Sequence, residues 1–380
     1  MADIQGTWEP RFEGVATTLS ASIDAGSDIG ASVAVLLGGE PVVDIWAGTV
    51  DEAGTSPWEK DTITDVWSMT KTMTFLCALM LADRGELDFS APVARYWPEF
   101  AAGGKERIEV RHLMAHTAGL PGWAEPLAPE DLADWDKCTS ILAAQEPWWE
   151  PGTASGYHIV TQGFLIGEIV RRITGVSLGT WFASEVAEPL GADFYIGLPE
   201  SEDARVSIVI PPPPLDLAEI NPSELVIRAG TNPPLDATYP RHAWWRRAQI
   251  PAVNGHGNAR SVAQIQSIIA GKGQSRGVRL LSEAGCDRVF DEQIHGTDLI
   301  LGAEYRFGMG YGLSSGMMPI GPRSCFWGGY GGSLIVMDQD ADLTVCYAMN
   351  RMQGGLTGDL RGASIVLAAV VGLAGGEGPG

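Results

Sequence analysis

Basic residues are scarce in this sequence. Lys and Arg number 25 against 47 Asp and Glu in 380 residues, a formal net charge of −22. A surface this acidic repels phosphate backbones and anionic membrane faces, so no nucleic-acid partner and no membrane surface is expected. Cysteine is sparse too. Cys77, Cys138, Cys286, Cys325 and Cys346 are odd in number and widely spaced, with no C-x-x-C, which argues against a disulfide framework and a zinc site. Reduced thiols and a cytoplasmic location are the expectation. The N-terminus, Met1 to Gly6, lacks the basic and apolar regions of an export signal. No apolar run approaches the roughly 18 residues of a membrane span, and residues 363–374 read as a terminal helix packed on a core. No G-x-S-x-G occurs, which removes the α/β-hydrolase nucleophile elbow. No H-E-x-x-H occurs either. With six histidines in all, His112 and His116, four apart, read as structural rather than as a metal pair, and no metal or organic cofactor is implied.

What is present is an ordinary globular composition, 45% hydrophobic and 19% charged. Apolar runs at 31–37 and 42–47 flank a Gly-Gly turn and predict an antiparallel hairpin. Residues 68–84 predict a buried helix ending at Gly85. From about 89 to 271 helical segments (108–115, 140–145, 163–174 and 261–270) alternate with Pro- and Trp-rich loops, the longest of them at 211–251. Strand patterns return at 307–313, 325–338 and 343–350, followed by a closing helix over 357–373. Strands at both ends around a helical middle predict an α/β (α+β type) fold. One antiparallel sheet is built from both chain ends and flanked by helices (1–88 and 272–380), with an inserted, mainly helical lobe (89–271).

The chemistry concentrates at Ser68-Met69-Thr70-Lys71. Three residues along a helix bring two side chains to one face, about 5–6 Å apart at Cβ. A lysine with a depressed pKa can take or relay the serine proton. Of the five lysines, only Lys71 has a serine three residues before it, and it opens an apolar helix where a charge is costly.

The text around this motif resembles the class C β-lactamase and family VIII carboxylesterase group of penicillin-recognising serine hydrolases. Trp67-Ser68-Met69-Thr70-Lys71 is followed in order by His112-Leu113-Met114-Ala115-His116-Thr117-Ala118-Gly119-Leu120, Pro151-Gly152-Thr153 leading to Tyr157, Asn254 to Ser261, Phe307-Gly308-Met309-Gly310-Tyr311-Gly312-Leu313 and Trp327-Gly328-Gly329. The resemblance covers residues 30–355. It implies Ser68 as nucleophile, Lys71 as its activator and Tyr157 as general base, with Lys71 holding the phenol partly ionised. It also implies an oxyanion hole from the backbone N–H groups of Ser68 and Tyr330, the latter following an edge strand.

Two departures steer the substrate expectation. Trp327 stands where β-lactamases carry the lysine of K-T-G, and Tyr157-His158-Ile159 replaces Y-x-N, losing the amide that would grip a β-lactam side chain. Both fit a carboxylesterase acting on neutral esters with short or aromatic acyl groups. Trp327, Gly328, Gly329, His158, Trp244 and Trp245 are the candidate substrate contacts. The alternatives are a β-lactamase, amidase, peptidase or acyltransferase on the same fold, or a non-catalytic binding module. The sequence leaves open whether the chain is a monomer or a homodimer.

Overall fold

The computed structural model describes residues 2–213, 222–316 and 318–375. Along the chain run β1 (Gln5–Trp8), α1 (Glu13–Asp24), β2 (Gly30–Leu37), β3 (Glu40–Gly48), β4 (Thr64–Asp65), α2 (Thr70–Asp83), α3 (Val110–Met114), α4 (Trp135–Ala144), α5 (Thr161–Thr174), β5 (Phe194–Ile196), β6 (Gly255–Gly257) and α6 (Ala259–Ala270). Then come β7 (Ile294–Thr297), β8 (Glu304–Phe307), β9 (Gly312–Leu313), β10 (Ser324–Gly328), β11 (Leu334–Asp338), β12 (Leu343–Met349) and α7 (Leu360–Gly375).

Nine strands form one antiparallel sheet in the order β1-β3-β2-β12-β11-β10-β9-β8-β7. β2 is apolar at nearly every position because both its faces are covered. Val33 and Val35 pack with α1 and α7 on one side, while Ala34 and Leu36 join the core around α2 on the other. α2 is buried from Thr70 to Leu81, the behaviour of a helix apolar all round.

Several elements depart from the sequence expectation. The run 307–313 is a tight reversal between β8 and β9, because Gly310 turns with φ +98°, where a side chain would be strained. Residues 325–338 likewise split into β10 and β11 around a turn at 329–333. α6, assigned above to the inserted lobe, packs on β2, β11 and β12 as a sheet-covering helix. Its start is set by Asn258, whose side chain accepts the Ser261 N–H at 2.9 Å. Of the Pro-rich stretch, 214–221 lie outside the described residues. The remainder is ordered around short helices at Glu224–Gly230, Tyr239–Arg241 and Ala243–Arg247. Among the described residues no helix is long and apolar enough to cross a membrane.

Candidate active site

The small sheet β4-β6-β5 delivers the chain into a 3-10 turn, Trp67–Met69, and only then into α2. Ser68 therefore sits in that turn, two residues before the α-helix in which the sequence placed it. Trp67 carries φ +50°, an uncommon conformation for a bulky residue. Two contacts hold it there. Its N–H donates to Asp65 Oδ1 at 2.8 Å, and its ring lies between Trp245 (5.8 Å) and Tyr330 (5.4 Å). Asp65 Oδ2 accepts the Trp245 indole N–H at 2.7 Å. Burial pushes the Asp65 carboxyl up to about 8, against the pull of these two donors.

Lys71 is wholly buried. Its Nζ lies 3.1 Å from Ser68 Oγ, 2.7 Å from the Ile159 carbonyl and 3.0 Å from the Ala252 carbonyl. Burial drives its pKa well below the ordinary lysine value. A neutral amine has two N–H donors and one lone pair. The two carbonyls match the donors, which leaves the lone pair for the serine hydroxyl.

Tyr157 completes the cluster. Lys71 Nζ stands 4.8 Å from the centre of its ring, which also meets His116 at 4.9 Å and Trp327 at 6.0 Å. Its hydroxyl is buried without a hydrogen bond. Burial raises its pKa above the ordinary phenol value, although the nearby Ser68 and Trp327 side chains pull the other way. The segment carrying it is clamped at three successive N–H groups. Gly156 donates to the His116 carbonyl, Tyr157 to Asp298 Oδ1 and His158 to His116 Nδ1, each at 3.0 Å.

On the opposite side of the nucleophile lies the end of β10. It is an inner strand rather than the edge strand expected. β9 pairs only with Cys325 and Phe326, however, so the pairing on that side stops short of Trp327. Gly329 allows the strand end to close on the nucleophile turn, since a Cβ there would stand 2.4 Å from the Val66 carbonyl oxygen. The N–H groups of Ser68 and Tyr330 have no acceptor among the described residues. Arg361, on α7, braces the turn from behind by donating to the Gly331 carbonyl at 2.6 Å.

Not every expected contact residue reaches this site. His158 is fully buried, its Nδ1 on the Gly156 carbonyl at 2.6 Å and its Nε2 accepting the Leu120 N–H at 3.1 Å, so neither nitrogen is left for a substrate. Trp245 is fully buried against Trp67 and supports the nucleophile turn instead of lining a mouth. Trp244 is half-buried against Tyr239 and Trp245. Gly328 is covered by the 357–358 backbone. Sequence reasoning missed Asp65, Asp298 and the carbonyls of Ile159 and Ala252. An aspartate three residues before the serine was a readable signal, but a backbone carbonyl leaves none.

Comparison with known proteins agrees with this geometry. The Beta-lactamase family model matches residues 16–370. The esterase/beta-lactamase LipL of Mycobacterium tuberculosis is 33% identical over 363 residues, 91% of this chain and 83% of that protein. A crystal structure of a family VIII carboxylesterase superimposes with TM-score 0.93 at 39% identity, covering 97% of this chain and all of the other. A penicillin-binding protein homologue from Caulobacter crescentus gives 0.91 at 34% identity, with 97% and 100% covered.

Proposed function

This chain belongs to the β-lactamase family and is a serine hydrolase, and we propose that it is a carboxylesterase whose acyl-enzyme forms on Ser68. The observation that carries the reading is the Lys71 environment: a buried amine on two carbonyls, its third partner the serine hydroxyl. Lys71 takes the Ser68 proton as Oγ attacks the ester carbonyl, and the N–H groups of Ser68 and Tyr330 receive the oxyanion. The departing alkoxide needs a proton. Tyr157, kept as a neutral phenol by burial, supplies it and is reprotonated by the Lys71 ammonium. Water then attacks the acyl-enzyme through the same relay in reverse. The proton acceptor in this scheme is Lys71, and Tyr157 is the donor rather than the resting phenolate base that the resemblance suggested.

The substrate class follows from Trp327. Its indole faces Tyr157, His116 and Phe307 and brings no cation to bind an acid group, which supports neutral esters with short or aromatic acyl groups. The names of the relatives, an esterase/β-lactamase and a family VIII carboxylesterase, support ester hydrolysis. The test is turnover of p-nitrophenyl butyrate, beside a chromogenic cephalosporin, by the wild type and Ser68→Ala. Ester turnover lost in a folded Ser68→Ala is the expected result. Ester turnover that survives in Ser68→Ala removes the nucleophile assignment. Cephalosporin turnover exceeding ester turnover replaces the substrate class with β-lactams.

A further inference from the structure

Asp298 lies in the loop between β7 and β8 and is fully buried. One carboxylate oxygen, Oδ1, accepts three backbone N–H groups, from Tyr157 at 3.0 Å, Ile300 at 3.0 Å and Leu301 at 2.9 Å. The other, Oδ2, is buried and unpartnered. A carboxylate kept dry in this way is costly and could be replaced at lower cost if it served only its own loop. Two of its three bonds do shape that loop, with the Gly302 N–H donating to the Asp298 carbonyl at 2.9 Å. The third reaches 141 residues back in the chain to the residue bearing the phenol. The same loop grips the segment once more, through the Leu299 N–H on the Ser155 carbonyl at 2.8 Å. His116 holds the N–H groups on either side of Tyr157, so Asp298 supplies the central grip of a three-point clamp.

We propose that Asp298 is a positioning residue for Tyr157, fixing the backbone from which the phenol reaches the leaving alkoxide. The proposal rests on the reading of Tyr157 as the proton donor. It separates Asp298 from Lys71 and Ser68, whose partners lie elsewhere. Loosening the clamp should therefore spare the attack of Ser68 and damage only steps that need the phenol proton.

The experiment compares wild type, Asp298→Ala, Asp298→Asn, Tyr157→Phe and the Tyr157→Phe/Asp298→Ala double variant. The readouts are ester turnover, phosphonylation of Ser68 by a fluorophosphonate probe, and hydrogen exchange across 156–158. Fluoride departs without a proton donor, so phosphonylation reports Ser68 and Lys71 alone. Asp298→Ala should lower ester kcat by about 100-fold, the scale of a misplacement near 1 Å, with KM and phosphonylation held within about threefold. Asp298→Asn, which retains Oδ1 as acceptor, should recover most of the loss. The double variant should be no slower than Tyr157→Phe, because both changes remove one function. The Tyr157 amide should exchange faster in Asp298→Ala. Losses that add in the double variant, phosphonylation falling with ester turnover, or unchanged exchange at Tyr157 would overturn the proposal. If Asp298→Ala does not fold, Asp298→Glu displaces the grip by one methylene and is read in the same way. A wild type without Ser68-dependent ester turnover overturns the esterase reading, and exchange at the Tyr157 amide still decides whether Asp298 holds it.

Discussion

Lys71 and Lys105 are both fully buried, and each Nζ has three oxygen partners, yet the partner sets differ. Lys105 bonds the carbonyls of Ala102 at 2.6 Å, Ala143 at 3.0 Å and Gln145. Three acceptors match the three donors of an ammonium, and the Glu146 charge opposes the deprotonating effect of burial, which brings its pKa to about 8. Lys105 ties the turn after Phe100 to the end of α4. Lys71 has two carbonyls and a hydroxyl. Its partner set suits a neutral amine, and the hydroxyl can give it a proton. Burial depresses both lysines, and the third partner, a hydroxyl at Lys71 and a carbonyl at Lys105, sets them apart, which is why the proposed proton transfer is assigned to Lys71.

That contrast can be broken most directly by removing each amine. Lys71→Met should lower kcat/KM for the ester by about 10³- to 10⁴-fold, the upper range for an acid–base group. Lys105→Met should leave it within about threefold while lowering Tm. Equal loss of activity in both variants would erase the distinction. Gly329→Ala tests the opposite wall of the site. Its Cβ would meet the Val66 carbonyl oxygen at 2.4 Å, backbone that can yield only by moving the nucleophile turn. A destabilisation of about 1–3 kcal/mol, as for overpacking, together with loss of turnover is expected in thermal unfolding and kinetic assays.

The pH dependence sharpens the comparison further. The proposed role of Lys71 requires its neutral form, so kcat/KM should fall as pH drops through its folded pKa, which lies well below the ordinary lysine value. Tyr157 is protonated at neutral pH, so the ultraviolet difference spectrum between wild type and Tyr157→Phe should show no phenolate there. A phenolate band at pH 7 would return the base role to Tyr157. The smallest effect concerns Lys105. Its pKa is about 8 folded and about 10.4 unfolded, so below pH 8 the folded state bears the full cost of the shift. That cost is relieved as pH rises from 8 to 10.4. Wild-type stability should gain over that window relative to Lys105→Met, and denaturant melts at the two pH values measure the difference.

Much of this protein was legible before folding. The order of motifs implied the fold family, and the Ser68–Lys71 spacing works within one turn of chain, so local geometry brings the pair together wherever that turn sits. The hairpin of β2 and β3, the course of α5 and the strand β12 follow from apolar patterns that hold in any context. The glycine-rich reversals at 308–311 and 329–333 have the apolar content of continuous strand, which masks the turn in the sequence. His158 looks like a site residue in the linear text because it adjoins Tyr157, and Trp245 because it is one of two paired tryptophans in a Pro-rich stretch. Packing spends both His158 nitrogens on backbone and turns Trp245 beneath Trp67.

The sequence by itself determined which residues could do chemistry: one serine with a lysine three positions on, and a tryptophan where a cation would have selected acidic substrates. Only the tertiary structure decided their protonation and aim. Burial drives the Lys71 pKa well below the ordinary lysine value, and the carbonyls of Ile159 and Ala252, from distant segments, close over it. Burial, with the rings of His116 and Trp327 against its own, holds the Tyr157 phenol above its ordinary pKa, while Asp298 fixes its backbone N–H. Spacing along a chain is a local property, whereas desolvation and long-range hydrogen bonding depend on which surfaces meet, and those appear only when the chain has folded.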